Sequence, residues 1–548
     1  MLNNQNTGPG QLARRWRAIY PLAILLVCLP YAISFTSQLS SDDFILLYYY
    51  GTRPLSRIWT VFSPQTIWTY HPLQHSYFVL GWHLSGIEPW AYRAMSLGVH
   101  LATAFLLMKF ARDLTDSMHF GGCTAIVFAG YWRHWEPIAW AASIATLESV
   151  FFTILACVAF LSFLRRRRPA AYALLILATV GWFFSKETII QLPLLLAAIY
   201  FYQRWREQNK LAARTPTSER PPEDKLQREP VLMSRAVWLD LIRLLAAPTA
   251  IVIVYLIFYA GFVRNVYTFA PLGYDRAPLT DWPSNVLHWL EFTFNPLLAN
   301  DTVDNLIGRR PMLYVLNYHI VGPVVLALVL VFALVRRRML PLFALAMMLV
   351  AMIPYFALSY GYYGFRYHYG PMLGGALLAV ALGGELWRLA AGKLTGWQSV
   401  VRIVVAATGG LWVVAHFLQL VHAVEHDHQA NRAPRELYNF FATQTDKTNR
   451  PVLFVVDTSP VSDSVDVPLG WGMLECTRLA LRTDNVAAVE LGYDLEPRVL
   501  TAFNRHGEKY LVERTETEWR ASRLPDNTRL TFAVAQDGIG RVALERPR

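Results

Sequence analysis

The sequence predicts a mainly α protein: a polytopic transmembrane helix bundle followed by a small extracytoplasmic α/β domain. Of the 548 residues, 54% are hydrophobic and 16% are charged, whereas soluble domains have about 45 to 50% and about 25%. Apolar stretches long enough to cross a hydrocarbon core of about 30 Å recur between Tyr20 and His422. Basic residues form short clusters between these stretches, as is typical of cytoplasmic loops.

The basic clusters also predict the orientation of the bundle. Arg14, Arg15 and Arg17 precede the first apolar segment, residues 20–35, so the N-terminus is expected inside. A cleaved signal peptide is an alternative interpretation of that segment, and it also leaves the next loop outside. The net charge of +11 is spread over the clusters and forms no single basic patch, so we expect no nucleic-acid partner.

The remaining spans follow from length, hydropathy and flanking charge. The second and third spans are expected at about 90–111 and 120–131, and the fourth ends at Arg165. The fifth, sixth and seventh are expected at 170–184, 189–202 and 237–260, and the eighth ends at Arg336. The ninth is expected at 340–358, the tenth ends at Arg388, and the eleventh is expected at 400–420. The bundle therefore has about eleven spans, with the N-terminus inside and the C-terminus outside. In the long outer loop, residues 282–298 are expected to form an interfacial aromatic helix.

The polar tail, residues 423–548, is expected to form the extracytoplasmic domain. Residues 434–443 have a helix-like pattern, whereas 452–456 and 530–534 have strand-like patterns. The four cysteines have no spacing typical of a disulfide framework or a metal site. Two domains are therefore expected, at 1–422 and 423–548.

The first outer loop contains two adjacent carboxylates, Asp42 and Asp43. A carboxylate near a low-dielectric boundary can serve as a general base toward a hydroxyl group, an effect of about 10² to 10⁴ in rate. The alternative is that the pair caps a helix that begins at Phe44, because Asp is a good N-cap residue. Spacing alone favours the cap.

Other polar residues are predicted on the same side of the membrane. Lys186 and Glu187 lie at the turn of a tight hairpin, where an ionisable residue is costly unless it is paired or functional. Lys186 could bind a phosphate, or the two could form an ion pair that stabilises the hairpin. Arg366 lies among several tyrosines, which indicates either an aromatic belt with one arginine reaching the interface or an arginine that binds a phosphate.

Taken in order, these motifs resemble the GT-C class of polyprenyl-phosphate-sugar glycosyltransferases, and within it the relatives of protein O-mannosyltransferases. The resemblance covers about the first four hundred residues. Its motifs are the acidic pair, the sequence Tyr70-His71-Pro72-Leu73, a glutamate before Ala-Trp at Glu136 to Trp140, the turn Ser185-Lys186-Glu187 followed by Pro193, and a segment with Arg366, Tyr367, Tyr369 and Pro371.

The resemblance implies an enzyme that transfers a hexosyl or pentosyl group from a polyprenyl-phosphate sugar to an acceptor hydroxyl by inverting displacement. It implies that Asp42 is the general base and that Asp43 and Glu136 shape the catalytic site. Lys186 and Arg366 would bind the donor phosphate, and His71, Glu187, Tyr367 and Tyr369 would bind substrate. No metal-binding residues are predicted and no cofactor is certain; the need for a divalent metal stays open.

The implied partners are the lipid bilayer, the lipid-linked donor and a glycan, lipid or protein acceptor, and the implied location is the bacterial inner membrane. The chain departs from the family at His71, where an arginine is usual, in the sequence Arg133-His134-Trp135, and in a tail without tetratricopeptide repeats. These departures leave the sugar and the acceptor open. The alternatives are an O-antigen ligase or polymerase, a transporter or flippase of envelope glycolipids, and a noncatalytic scaffold.

Overall fold

The structure is a computed structural model. It describes residues 9–36, 38–39, 42–66, 69–214, 234–265, 278–295, 320–355, 365–391, 398–430, 452–457, 479, 486–491, 499–503, 509–514, 519–524, 529–532 and 542–544. The predicted helix at 434–443 and the tyrosines at 360, 362 and 363 lie outside these residues.

The first part of the chain is helical. Its α-helices are α1 (Pro9–Val27), α2 (Asp42–Leu46), α3 (Pro72–Ser85), α4 (Trp90–Thr115), α5 (Met118–Ala129), α6 (Trp135–Ala139), α7 (Ile144–Arg166), α8 (Pro169–Phe183), α9 (Leu192–Arg214), α10 (Arg235–Phe262), α11 (Trp282–Phe294), α12 (Val321–Leu330), α13 (Met339–Met352), α14 (Met372–Ala391) and α15 (Gln398–Ala430).

Six segments in the described residues are long and apolar enough to cross a membrane. They are Ala18–Thr36, Trp90–Thr115, Ala141–Arg166, Arg235–Phe262, Met372–Leu389 and Ala406–Ala423. Four shorter apolar helices accompany them: Met118–Ala129, Pro169–Phe183, Val321–Val335 and Met339–Tyr355. These helices support a multi-pass membrane protein, and the number of eleven spans stays a prediction.

Local sequence explains where several helices begin and end. The Ser117 side chain accepts a hydrogen bond from the Phe120 N–H and caps α5, and Ser234 caps α10 in the same way. Proline occupies the first turn of α3 and α8, where its missing N–H costs nothing. The predicted interfacial helix is present as α11.

The core lies where α4 packs against α5 and α7, and where α13 packs against α14. Gly374 in α14 permits the second contact, because a Cβ atom there would overlap the backbone of Met348 in α13. A continuous apolar cluster fills the space between these helices.

The described strands form two sheets. β1 (Gln65–Thr66) and β2 (Arg264–Asn265) make a short parallel pair that joins the segment before α3 to the segment after α10. The tail contains a seven-stranded sheet in the order β4-β3-β9-β8-β7-β6-β5. Its strands are β3 (Val452–Asp457), β4 (Val486–Leu491), β5 (Val499–Phe503), β6 (Lys509–Arg514), β7 (Trp519–Leu524), β8 (Arg529–Phe532) and β9 (Val542–Leu544). The predicted segment 452–456 lies in β3, and residues 530–532 of the other predicted segment lie in β8.

Candidate functional site

The connector, residues 132–146, joins α5 to α7 and organises the candidate site. It consists of a 3-10 turn, the short helix α6, a second 3-10 turn and the first residues of α7. The Trp140 N–H donates to the Glu136 carbonyl (2.8 Å), and the Ser143 N–H donates to the Trp140 carbonyl (2.9 Å). These bonds fix the compact path that presents Glu136, Trp140 and Thr146 to other parts of the chain.

Glu136 on the connector binds Arg366. The Arg366 backbone N–H donates to Oε2 (2.7 Å), and its guanidinium Nη1 donates to Oε1 (2.6 Å). The guanidinium also lies over the rings of Trp140 and Tyr367, 4.8 Å from each centroid. Burial acts to lower the pKa of Arg366, but the Glu136 charge and Tyr367 more than offset it and raise the pKa. Arg366 is therefore a fixed cation whose charge is already balanced by a carboxylate.

Lys186 reaches the same connector from the turn after α8. Its Nζ donates to Thr146 Oγ1 (2.8 Å) and lies 5.8 Å from the centroid of the Tyr367 ring. Burial lowers the pKa of Lys186. The Glu187 and Glu136 carboxylates act to raise this pKa, whereas the Arg366 charge acts to lower it. The ion pairs within 4.0 Å of the described residues do not include Lys186. The Lys186 side chain is itself buried.

Glu187 pairs with His71 rather than with its neighbour Lys186. His71 Nε2 and Glu187 Oε2 are 2.8 Å apart, and His71 Nδ1 contacts Thr69 Oγ1 at 3.0 Å. Burial acts to raise the pKa of Glu187, but the His71 hydrogen bond and the Lys186 charge outweigh it and bring the pKa to about 2. The hairpin turn is therefore held by His71, and the ion pair between neighbouring residues that the sequence left open is not the arrangement found.

The acidic pair lies at the start of α2, which begins at Asp42 rather than at Phe44. Asp43 is fully buried, and its Oδ1 accepts a hydrogen bond from the Ala142 N–H on the connector (2.6 Å). Asp42 is the more exposed of the two. Asp43 thus binds the connector to the segment that begins α2, and Asp42 is only partly buried.

The structure consequently brings most of the predicted residues together along one segment. Arg366 contacts Glu136 and Trp140 on the connector, Asp43 contacts Ala142, and Lys186 contacts Thr146. His71 joins them through Glu187 and through Gln74, whose amide nitrogen donates to the Ala142 carbonyl. The fifteen residues of the connector therefore contact residues up to 230 positions away in the chain.

The two tyrosines of the predicted site have different surroundings. The Tyr367 hydroxyl accepts from Arg366 Nη2 (3.3 Å), and its ring lies 5.0 Å from that of Tyr355. Tyr369 is fully buried, and its hydroxyl contacts His100 Nδ1 (2.9 Å). Tyr367 therefore lies beside both cations, whereas the contacts of Tyr369 are with the interior of the bundle.

Several residues that sequence reasoning did not select also contribute. Thr146, which is not distinctive in sequence, binds Lys186. Arg93 and Glu148 lie inside apolar spans and close to the first outer loop. Their charge within an apolar segment was the signal that could have found them.

The side chains give no case for a metal centre. Within the described part of the chain, no group of three or more histidine, cysteine, aspartate or glutamate residues is arranged to hold a metal ion. The arrangement found along the connector is two cations, Lys186 and Arg366, with aromatic rings beside them. Cations of this kind can bind a phosphate.

Comparison with known proteins gives a likeness to solved structures and none to protein families. No protein-family model matches the chain, and no curated protein matches it significantly. Among solved structures, the chain is similar to the crystal structure of ArnT from Cupriavidus metallidurans bound to undecaprenyl phosphate. The sequence identity is 14%, the match covers 87% of this chain and 90% of that chain, and the TM-score is 0.41.

Proposed function

We propose that the protein is an integral-membrane glycosyltransferase that moves a sugar from a polyprenyl-phosphate donor to an acceptor hydroxyl at the extracytoplasmic face. The observation that supports this best is the meeting of Asp43, Glu136, Lys186 and Arg366 along the connector. A lipid-linked donor reaches such a site by diffusing in the bilayer, so the enzyme needs no nucleotide-binding loop. The sequence contains no convincing one.

The reaction we propose is an inverting displacement. The acceptor oxygen forms a bond to the anomeric carbon while the bond from that carbon to the phosphate oxygen breaks. The acceptor proton passes to the Asp42 carboxylate, and the polyprenyl phosphate leaves with the bonding electrons. Lys186 and Arg366 stabilise the charge that develops on the phosphate, because fixed cations near low dielectric need little reorganisation.

The remaining predicted residues have supporting roles in this proposal. Glu136 fixes the orientation of the Arg366 guanidinium through two contacts. His71 and Glu187 hold the turn from which Lys186 extends. Tyr367, beside both cations, binds the sugar or the first prenyl unit, and Tyr369 supports the loop from inside.

We further propose that residues 1–422 form a GT-C-like catalytic module and that residues 423–548 form an extracytoplasmic domain that helps bind a glycan, lipid or protein acceptor. The proposed location is a bacterial inner membrane. A flippase remains the alternative from another class, since it would also place charges at the ends of spans. It would need no general base.

The test is transfer of radiolabelled sugar from a panel of polyprenyl-phosphate sugars, in membranes that contain equal amounts of each variant. Wild type should incorporate label, and Asp42→Asn should lose it by about 10² to 10⁴-fold. Asp281→Asn, an exposed aspartate that hydrogen-bonds Thr280, is the matched control. Equal label in wild type and Asp42→Asn, or no label from any donor, would favour the transporter or the scaffold.

A further inference from the structure

The segment that carries Arg366 ends at a buried tyrosine. Residues Phe365–His368 form a 3-10 helix, and the Tyr369 N–H donates to the Arg366 carbonyl (3.4 Å). The Tyr369 side chain is fully buried, and its ring centroid lies 5.3 Å from that of Phe128 and 4.5 Å from that of His134. The position of the Arg366 backbone is therefore tied to the position of Tyr369 in the interior of the bundle.

His100, a fully buried residue of α4, binds the Tyr369 hydroxyl. His100 Nδ1 and Tyr369 Oη are 2.9 Å apart, and His100 Nε2 lies 3.2 Å from the Ala129 carbonyl oxygen. A carbonyl oxygen only accepts, so the ring proton is assigned to Nε2. In a neutral imidazole with this tautomer Nδ1 is an acceptor, and the Tyr369 hydroxyl therefore donates to it. The hydrogen bonds run in one direction, from Tyr369 through His100 to the end of α5.

Two separate contacts thus hold the segment that carries Arg366. Glu136, on α6, binds the Arg366 backbone N–H and guanidinium. His100, on α4, binds Tyr369, three residues further along the chain. Without the His100 acceptor, the buried Tyr369 hydroxyl would lose its partner, which is costly in an apolar interior. Arrangements of the segment in which Tyr369 reaches water would then be favoured, and these displace Arg366.

We propose that His100 is a positioning residue that holds Arg366 in the candidate site through its hydrogen bond to Tyr369. This inference rests on the proposed function, in which Arg366 stabilises the departing phosphate. In this role His100 acts only through Tyr369. The role also accounts for a histidine inside the apolar span Trp90–Thr115, because an ionisable residue there is costly unless it is paired or functional.

The first measurement follows the segment without an activity assay. Hydrogen–deuterium exchange reports local opening of the backbone, and peptides that contain residues 365–369 are compared between variants of the purified protein. Tyr369→Phe removes the hydroxyl that donates to His100, so exchange in these peptides should become several-fold faster. Tyr172→Phe is the matched control, because the Tyr172 hydroxyl also joins two helices, by donating to the Leu244 carbonyl (3.3 Å). It should leave these peptides unchanged.

Two substitutions of His100 separate its two hydrogen bonds. His100→Asn places an amide oxygen near the position of Nδ1, so it can still accept from Tyr369. His100→Gln places an amide nitrogen near the position of Nε2, so it can still donate to Ala129 but leaves Tyr369 unpaired. Exchange at residues 365–369 should therefore be close to wild type in His100→Asn and as fast in His100→Gln as in Tyr369→Phe. The double variant His100→Gln/Tyr369→Phe should be no faster, since both changes remove the same contact.

The second measurement separates positioning from stability. In the transfer assay Tyr369→Phe and His100→Gln should lower kcat by about 10²-fold, since a misplacement of about 1 Å has that effect. KM should change less, because Arg366 acts on charge that develops in the transition state. His100→Asn and Tyr172→Phe should keep most of kcat. Tyr369→Phe and Tyr172→Phe should lower the thermal midpoint by similar amounts, because each removes one hydrogen bond between helices.

The outcomes distinguish the two proposals. Faster exchange in Tyr369→Phe and His100→Gln but not in His100→Asn, with no transfer by wild type from any donor, keeps the positioning role and removes the proposed function. Transfer by wild type, together with exchange and kcat in Tyr369→Phe equal to those of Tyr172→Phe, overturns the positioning role. Equal losses in His100→Asn and His100→Gln would also overturn it, because the effect would then follow the packing of the imidazole and not its bond to Tyr369.

Discussion

Glu136 and Arg366 form an ion pair whose partners are 230 residues apart in the chain. Both side chains are mostly buried, with exposed fractions of 13% and 25%. A pair of this kind contributes less to stability than its short distances suggest, because both groups lose hydration. Removing only one partner of the pair destabilises the fold more, because the remaining buried charge then has no opposite charge beside it.

We therefore expect Glu136→Gln to lower the free energy of unfolding by about 1.5–3 kcal/mol, the range for hydrogen bonds to charged groups. Arg366→Gln should have a similar effect, and the double variant should lose less than the sum of the two. Denaturant unfolding in detergent measures all three. Strictly additive losses would mean that the two side chains do not interact.

The sequence indicated which residues carry the charges of the candidate site, but it did not indicate which residues they contact. Charged residues at Lys186, Glu187 and Arg366 stood out against apolar surroundings. The contacts that they make depend on helix packing over long separations, such as Lys186 with Thr146. Tyr369 shows the same limit, because in sequence it is equivalent to Tyr367, whereas in the fold it is fully buried against His100.

At the scale of elements, Asp116 joins the ends of three helices. It ends α4 in a left-handed conformation, with φ of 58°. Its carboxylate pairs with Arg165 of α7 (3.1 Å) and with Arg206 and Lys210 of α9 (2.7 and 2.8 Å). The predicted basic clusters therefore serve the packing of helices as well as the topology.

This network predicts a pH dependence. Burial acts to raise the pKa of Asp116, but Lys210, Arg206 and Arg165 outweigh it and bring the pKa to about 2. The folded pKa lies below the unfolded value of about 3.9, so the stabilisation is complete above that pH and is lost as the pH falls toward 2. Asp116→Asn should unfold at a lower temperature than wild type at pH 7, and the gap should close between about pH 4 and pH 2.

Thermal unfolding over this pH range is the measurement, with Asp281→Asn as a surface control. A gap between wild type and Asp116→Asn that does not change with pH would show that the carboxylate charge is not the cause.

Helix positions were predicted well where hydropathy determines them, and less well at their ends. The predicted span at 20–35 is divided between α1 and a 3-10 helix, Leu29–Thr36, that contains Pro30. The span expected from 189 begins as a 3-10 turn, and α9 starts only at Leu192. Pro193 explains the second difference, because proline is favoured in the first turn of a helix.

At the scale of the whole molecule, the orientation of the bundle determines which side the site faces. The charge pattern predicts a cytoplasmic N-terminus and an extracytoplasmic tail. We expect alkaline phosphatase fused after Ala430 to be active, because that enzyme needs the extracytoplasmic side to form its disulfides. The same fusion after Lys210 should be inactive. The reverse pattern would place Asp42 and Arg366 in the cytoplasm and exclude the proposed function.

The overall architecture was predictable for a physical reason. Span length and flanking charge are local properties of a sequence, so they indicate a helix bundle without knowledge of its packing. The tail shows the opposite case. Its strand segments were recognisable, but the parallel pairing of β3 with β4 and the insertion of β9 beside β3 depend on partners distant in sequence.

Binding of a lipid-phosphate donor beside Lys186 can be measured by titrating purified protein with a polyprenyl phosphate and determining the Kd. Lys186→Met should weaken binding by about 10 to 100-fold, the equivalent of a charge-assisted hydrogen bond. Lys109→Met, which removes a lysine that pairs with Asp113, should bind like wild type. Equal affinities in wild type and Lys186→Met, or no saturable binding by wild type, would contradict the account.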